Sequence, residues 1–322
     1  MYHISILTNH QDDDDFGERL QDIADISYYP MASEDVLAEQ LEGTDVLICG
    51  NEAITDSLLE RLEDLRVIVV YGARYDRIDV EGATKRGIKV ICNTAYCIDD
   101  IADHTCAMIL ALLRELPEYQ NDIRSNSRWA YGSVPWPIHR IGSQVIGLIG
   151  FGYTGRAVAR RLQAFGCSIQ AYDPFVDEDV MVKQGVTAVD FDKLLRTSDV
   201  ISLHIPLNET TRYLFREEQF EEMKEGTMFV NCAQGGLVDE AALYHAVDDG
   251  HIRSAALDVL SSEHPSPMML KMMTRPEFLL TPSVAAHSVE GTAELRDALE
   301  EYIRKVLSGN DEGVPFVTVP ES

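Results

Sequence analysis

Positive charge is what this sequence has least of. Its 322 residues include 27 lysines and arginines against 54 aspartates and glutamates, a net charge of −27, and only seven of the basic residues are lysine. A surface so acidic repels nucleic acid and anionic membrane, which argues against both as partners. It also repels itself, and concentrated salt screens that repulsion. The balance therefore reads as adaptation to the salt-rich cytoplasm of a halophile rather than as a binding patch. Paired cysteines are lacking too. The six, at 49, 92, 97, 106, 167 and 232, contain no C-x-x-C pair and no zinc spacing. Most sit in apolar runs such as "DVLICG", as buried thiols do. No apolar stretch approaches the about 20 residues that span a bilayer, and no signal peptide precedes "ISIL". The expectation is a reduced, soluble, cytoplasmic protein. No metal site is indicated: the run Asp12–Asp15 reads as a solvated loop. Internal repeats and low-complexity tracts are missing as well.

What is present is an ordinary globular balance, 45% hydrophobic and 25% charged, in a chain long enough for two domains. Short β-rich runs alternate with longer helical patterns. "HISILT" is followed by a helical segment, then "DVLICG", "SLLERLEDL", "RVIVVYG" and "GIKVIC". That is the rhythm of a parallel sheet with crossover helices. One long helix is expected from Ile98 to about Tyr119, with Asp99 or Asp100 as its N-cap and Pro117 near its end. The segment "SNSRWAYGSVPWPIHRIGSQ" reads as a linker. A second α/β series opens at Val145 and runs to about Ala286, and the tail from Glu290 to Leu307 is an amphipathic helix.

The strongest chemical signal opens that second series. In "VIGLIGFGYTGRAVARRL", Gly150, Gly152 and Gly155 form G-x-G-x-x-G between an apolar strand and a helix. The first glycine allows a tight turn, the second lets a pyrophosphate approach, and the third lets helix and strand pack closely. The helix N-terminus offers free N–H groups and a positive dipole end. Asp173 ends the next strand about twenty residues on, where a carboxylate accepts hydrogen bonds from both ribose hydroxyls and repels a 2′-phosphate. Pro174 and Phe175 bring no cation to receive one, so NAD is expected rather than NADP. Further on, "MFVNCAQGGLVDEAAL" turns from an apolar run to a Gly-Gly turn at Gln234, which displays that residue at the carboxyl edge of the sheet.

With these stretches the chain resembles, over nearly its whole length, the D-isomer-specific 2-hydroxyacid dehydrogenase family. The branch that includes the C-terminal-binding-protein co-repressors and phosphoglycerate dehydrogenase looks closest. "GIKVICNTAYCIDDIADHTCAMILALLREL", "SDVISLHIPLNETTRYLF", "FVNCAQGGLVDEAAL" and "AALDVLSSEHP" carry the likeness. It implies two Rossmann-like domains with parallel sheets: a flavodoxin-like outer substrate domain of residues 1–98 plus 288–322, and an NAD-binding domain of residues 99–287. It implies a homodimer, cofactor contacts from Tyr153, Thr154 and Pro206, and positions by the nicotinamide for Ala233 and Asp258. For Asp258 an ordinary strand-end carboxylate is the alternative.

The resemblance also exposes departures. The family's reaction uses an arginine on the substrate carboxylate, a histidine that exchanges the hydroxyl proton, and a glutamate that holds the histidine. Matched position by position, only the glutamate is kept, as Glu263. Gln234 stands for the arginine and Ser283 for the histidine. Arg74, in "YGARYD", stands where a glycine is usual. Glutamine brings no charge and no bidentate fork, a loss on the order of tenfold. Serine is no acid or base near neutral pH, and losing a general acid–base costs about 10²–10⁴-fold. His287, four residues past Ser283, is a substitute proton donor if its loop begins a helix, and Arg74 is a substitute cation. A surface histidine and a salt-bridged arginine are the alternatives. His104 reads as an interdomain histidine, His204 as a cofactor-side one, and His264 takes no role. Tyr71, Tyr75 and Trp136 suggest aromatic bulk about the substrate, or core packing. Two functions compete: an NAD-dependent oxidoreductase of 2-oxo or 2-hydroxy acids with non-standard catalytic residues, and an NAD(H)-binding regulatory or sensor protein.

Overall fold

The structure, a computed structural model, describes residues 1–7, 14–50, 52–130, 136–262 and 266–318. Along the chain run strands β1 (Tyr2–Leu7), β2 (Ala24–Tyr29), β3 (Val46–Cys49), β4 (Val67–Val70) and β5 (Lys89–Cys92). After them come β6 (Val145–Ile149), β7 (Ser168–Tyr172), β8 (Thr187–Ala188), β9 (Val200–Leu203), β10 (Thr227–Asn231), β11 (Ile252–Leu257) and β12 (Phe278–Leu280). Helices connect them, giving an α/β protein. It divides into two compact units, Met1–Cys97 with Ser288–Ser322, and Ile98–His287.

The first unit holds a five-stranded sheet in the order β2-β1-β3-β4-β5, parallel throughout. Its central strands are buried on both faces, which is why β3 and β4 read as unbroken apolar runs rather than alternating ones. The edge strand β2 is only partly buried, with Ala24 its one buried residue, and its weak apolar signal sits inside a segment whose pattern otherwise suggests a helix. The tail helix Val289–Leu307 returns to this unit and buries Leu295, Leu299 and Ile303 against Ile4, Val46 and Val67.

The second unit holds a seven-stranded parallel sheet in the order β12-β11-β10-β9-β6-β7-β8. The strand order reverses between β6 and β9, so their carboxyl ends open the crevice in which such sheets bind ligands. The helix Ile98–Leu113 packs on the helix Tyr153–Gln163. Asp99 and Asp100 lie in the first turn of Ile98–Leu113 rather than at its N-cap. The expected single long helix is in fact two. It breaks at Glu115, whose φ of 54° is left-handed, and resumes as Leu116–Asn126 with Pro117 in its first turn, where a missing N–H costs nothing. Glu115 is buried and paired with the equally buried Arg253 of β11, whose guanidinium lies 5.5 Å from the Trp136 ring and donates to the Pro137 carbonyl. The break is thus pinned by a buried ion pair that sequence periodicity does not report. Beyond it, Leu116–Asn126 has no buried residue.

Burial and the charge of Glu115 push the neighbouring Glu118 carboxyl up to about 8. The folded protein therefore keeps a proton that the unfolded chain releases near the ordinary glutamate range. Stability is greatest below that range and is lost as pH rises through it to about 8. Glu118→Gln should flatten this slope in denaturant titrations from pH 5 to 8; an unchanged slope would place the proton elsewhere.

Candidate functional site

The crevice is built first from glycine. Leaving β6, Gly150 turns with a φ of 98°, and a Cβ there would overlap the His204 carbonyl oxygen at the end of β9. A Cβ at Gly155 would overlap the Gly150 carbonyl oxygen, so helix and strand meet at a distance only glycine allows. Gly152, N-cap of the helix Tyr153–Gln163, is different. Its φ is an ordinary −72°, and a Cβ would meet nothing within 4 Å. Nothing in the protein itself asks for glycine at 152. The space in front of it, faced by the first N–H groups of a helix, fits a dinucleotide pyrophosphate. Tyr153 is 79% exposed at this mouth. Asp173, after β7, accepts from the N–H of Phe151 at 2.8 Å and of Phe175 at 2.9 Å. Each carboxylate oxygen keeps a second lone pair for a ribose hydroxyl. His204 meets the Ser202 hydroxyl at 3.0 Å, and burial pushes its imidazole down to about 4, so it is neutral at ordinary pH. Exposed Pro206 accepts a hydrogen bond from Thr211 through its carbonyl.

The other end of the crevice is built from hydrogen bonds. Asn231, last residue of β10, donates through Nδ2 to the Gln234 carbonyl at 2.8 Å and accepts from the Ala233 N–H at 3.0 Å. That double contact fixes the turn and sets the direction of Gln234. A Cβ at Gly235 would overlap the Leu260 backbone, so the turn lies directly on the chain leaving β11. Asp258, 3% exposed, accepts from the Thr281 hydroxyl at 2.5 Å, the Val284 N–H at 2.9 Å and the Ala285 N–H at 3.0 Å. His104 Nε2 lies 3.0 Å from Thr281 Oγ1 and 3.6 Å from Asp258 Oδ1. Ser283, exposed with a left-handed φ of 57°, donates its N–H to the Asp258 carbonyl at 2.7 Å. The Gln234 side-chain oxygen is buried without a hydrogen-bond donor among the described residues.

Residues 106–285 match the family model of the D-isomer specific 2-hydroxyacid dehydrogenase, NAD binding domain. The chain belongs to that family. It is 32% identical over 308 residues to a D-3-phosphoglycerate dehydrogenase of Methanocaldococcus jannaschii, covering 95% of this chain but only 58% of that protein. It is 31% identical over 282 residues to a glycerate dehydrogenase of Methylorubrum extorquens, covering 86% of this chain and 87% of the relative. The structure of a D-lactate dehydrogenase from Aquifex aeolicus, complexed with NAD and lactic acid, superposes with a TM-score of 0.90 at 26% identity, covering 99% of this chain and all of that one. The cofactor of this family's domain is NAD.

Gln234, Asp258 and Ser283 stand together at the carboxyl ends of β10, β11 and β12. Ala233 lies in the turn held by Asn231. His287 lies in an exposed turn; the helix begins at Val289 with Ser288 as its cap, so the helical placement expected for this histidine does not occur. In the first unit, Arg74 is committed to Asp76, with two hydrogen bonds of 3.1 and 3.0 Å, as its salt-bridge alternative required. The hydrogen bond of His104 runs to Thr281, in the same unit. Glu263 and His264 lie outside the described residues, as do Asp12 and Asp13, and the described residues contain no metal-binding cluster. Asn231 and Thr281 were not anticipated. An asparagine ending a strand before a tight turn is a readable signal for the first; nothing local marks the second.

Gly152→Ala should leave folding stability within about 0.5 kcal/mol, because its methyl enters open space, yet weaken NADH binding at least tenfold. Gly150→Ala should instead destabilise the fold itself. Denaturant unfolding beside NADH fluorescence titration checks both; undiminished NADH affinity in Gly152→Ala would mean that no phosphate lies there.

Proposed function

We propose that this chain is an NAD-dependent oxidoreductase acting on CH–OH, moving a hydride between the nicotinamide and C2 of a small 2-oxo or 2-hydroxy acid. The observation that carries the reading is the open space before Gly152, in a chain of this family. Bound NAD supplies the hydride chemistry; the residues of the chain hold and orient. The N–H groups of Tyr153, Thr154 and Gly155 receive the pyrophosphate, and Asp173 selects unphosphorylated ribose. Ala233 lines the nicotinamide side, Pro206 the adenosine side, and Asp258 keeps one acceptor position for the carboxamide. At the substrate, Gln234 does by hydrogen bonding what a guanidinium does by charge. Ser283 offers a hydroxyl but no titratable proton. His287, exposed in the turn before the helix Val289–Leu307, is the candidate proton donor of this reading, and Glu263 is the carboxylate kept from the family's set. Arg74 serves a substrate carboxylate only by exchanging Asp76 for it. The acidic surface fits a homodimer working in a salt-rich cytoplasm, and Leu116 and Ile123, exposed on a helix without buried residues, fit a partner subunit.

A second reading, an NAD(H)-binding regulatory protein, is favoured by Ser283 and by the commitment of Arg74. Loss of NADH absorbance in concentrated KCl with 2-oxo acids from glyoxylate to phenylpyruvate separates the two. Turnover that falls at least tenfold in His287→Ala, and rises at least tenfold in Gln234→Arg/Ser283→His, is the expected result. Silence across the panel from protein that binds NADH would leave the regulatory reading.

A further inference from the structure

We propose that His104 is a positioning residue of the cofactor site whose proton decides which form of the dinucleotide is held: NAD when the imidazole is neutral, NADH when it is charged. The inference rests on the dinucleotide reading above, with Asp258 at the nicotinamide, and its residues all lie within the unit Ile98–His287. The atoms around Asp258 fix the state of the ring. A carboxylate oxygen only accepts, so the Thr281 hydroxyl, 2.5 Å from Asp258 Oδ1, donates to it. That hydroxyl has one proton and has given it. Toward His104 Nε2, 3.0 Å away, it therefore accepts. Nε2 carries a hydrogen in both charge states, and Nδ1 is the nitrogen that gains or loses a proton. Thr281 and Asp258 thus pin the imidazole by one nitrogen and leave the other to titrate, with Nε2 3.6 Å from the carboxylate. The His104 side chain is 24% exposed against 3% for Asp258, so protons reach it from solvent.

Asp258 is the anion that the nicotinamide meets in this reading. The oxidised ring is a cation and the reduced ring is neutral. A charged imidazole beside the same carboxylate offsets it and repels the oxidised ring, and leaves the reduced ring unaffected. Imidazole changes charge between about pH 5 and 8, so the choice falls in the ordinary range. When a 2-oxo acid is reduced, His104 releases its proton to water as hydride leaves the neighbouring ring, which holds the charge beside Asp258 constant. The helix that carries His104, Ile98–Leu113, packs on β10, β11 and the helix Tyr153–Gln163. The end of β10 brings Cys232, whose thiol burial pushes up to about 12. The loop after β12 brings Thr281 and Ser283, both without charge. Arg161 of Tyr153–Gln163 is held by Asp99 and Asp103 at 2.8 and 2.5 Å, and Asp100 stands one turn before His104 on its own helix. His287, in the turn beyond Ala285, is a second titrating imidazole, and a variant below separates the two.

The test uses the full chain in concentrated KCl and reads binding rather than turnover. Affinities for NAD and for NADH are measured by titration calorimetry from pH 5.5 to 8.5, for the wild-type protein, His104→Gln and His287→Ala. Glutamine keeps an N–H for Thr281 but has no titrating nitrogen. As pH falls across that range, the ratio of the NAD to the NADH dissociation constant should rise by about fivefold or more in the wild-type protein and in His287→Ala. It should stay level in His104→Gln. At pH 6.5, wild-type titrations in two buffers of different ionisation enthalpy should show NAD binding releasing a fraction of a proton that NADH binding does not. That readout stands even if the glutamine variant fails to fold. A wild-type ratio that does not move with pH, or that moves equally in His104→Gln, would overturn this inference while leaving the dinucleotide reading standing. So would equal proton release by the two forms, and a level ratio in His287→Ala would overturn it in favour of that histidine. Failure to bind NADH at any pH would overturn the dinucleotide reading and this inference with it.

Discussion

One carboxylate holds the far wall of the nucleotide sheet. Asp258 gathers the Thr281 hydroxyl and two backbone N–H groups of the loop after β12, and its own backbone ties β10 to Ser283. Buried at 3% exposure, it is an anion made tolerable by three donors, since an unpaired buried charge costs several kcal/mol. Everything at that end takes its place from this web. Gly235 lies against the chain leaving β11, and Asn231 closes the turn by holding the Gln234 backbone carbonyl.

The phosphate end works by the opposite means. There the structure is made by missing side chains: two glycines required by the fold, and a third, Gly152, whose Cβ would meet nothing within 4 Å. The contrast between Gly150 and Gly152 separates a glycine the fold requires from one it does not, which the motif alone does not do. Among the described residues, the strand ends beyond these glycines carry an amide, a hydroxyl and a carboxylate, with His104 beside that carboxylate.

The fold was legible where local chemistry and long-range packing agree. Doubly buried strands such as β3, β6 and β10 announce themselves as apolar runs, and the glycine loop declares its own geometry. β2 was missed because this partly exposed edge strand shows neither an unbroken apolar run nor a clear alternation. The break at Glu115 was missed because its cause, Arg253, lies far along the chain on another strand. In the site, the positions of Gln234 and Ser283 could be read from their strand ends. The partners of Asp258 could not, because a hydrogen bond between β11 and the loop after β12 leaves no trace in spacing. Arg74 shows the same limit at short range: whether it is free or held depends on the side-chain rotamer that brings Asp76 to it.

The central claim is that the nucleotide half of this protein is built and selective, whatever its substrate half does. Titration calorimetry of the purified protein with NADH and then NADPH in concentrated KCl tests it most directly. The account predicts one NADH per chain, and NADPH weaker by at least tenfold because Asp173 faces the ribose. Absence of NADH binding, or equal affinity for the two, would contradict it.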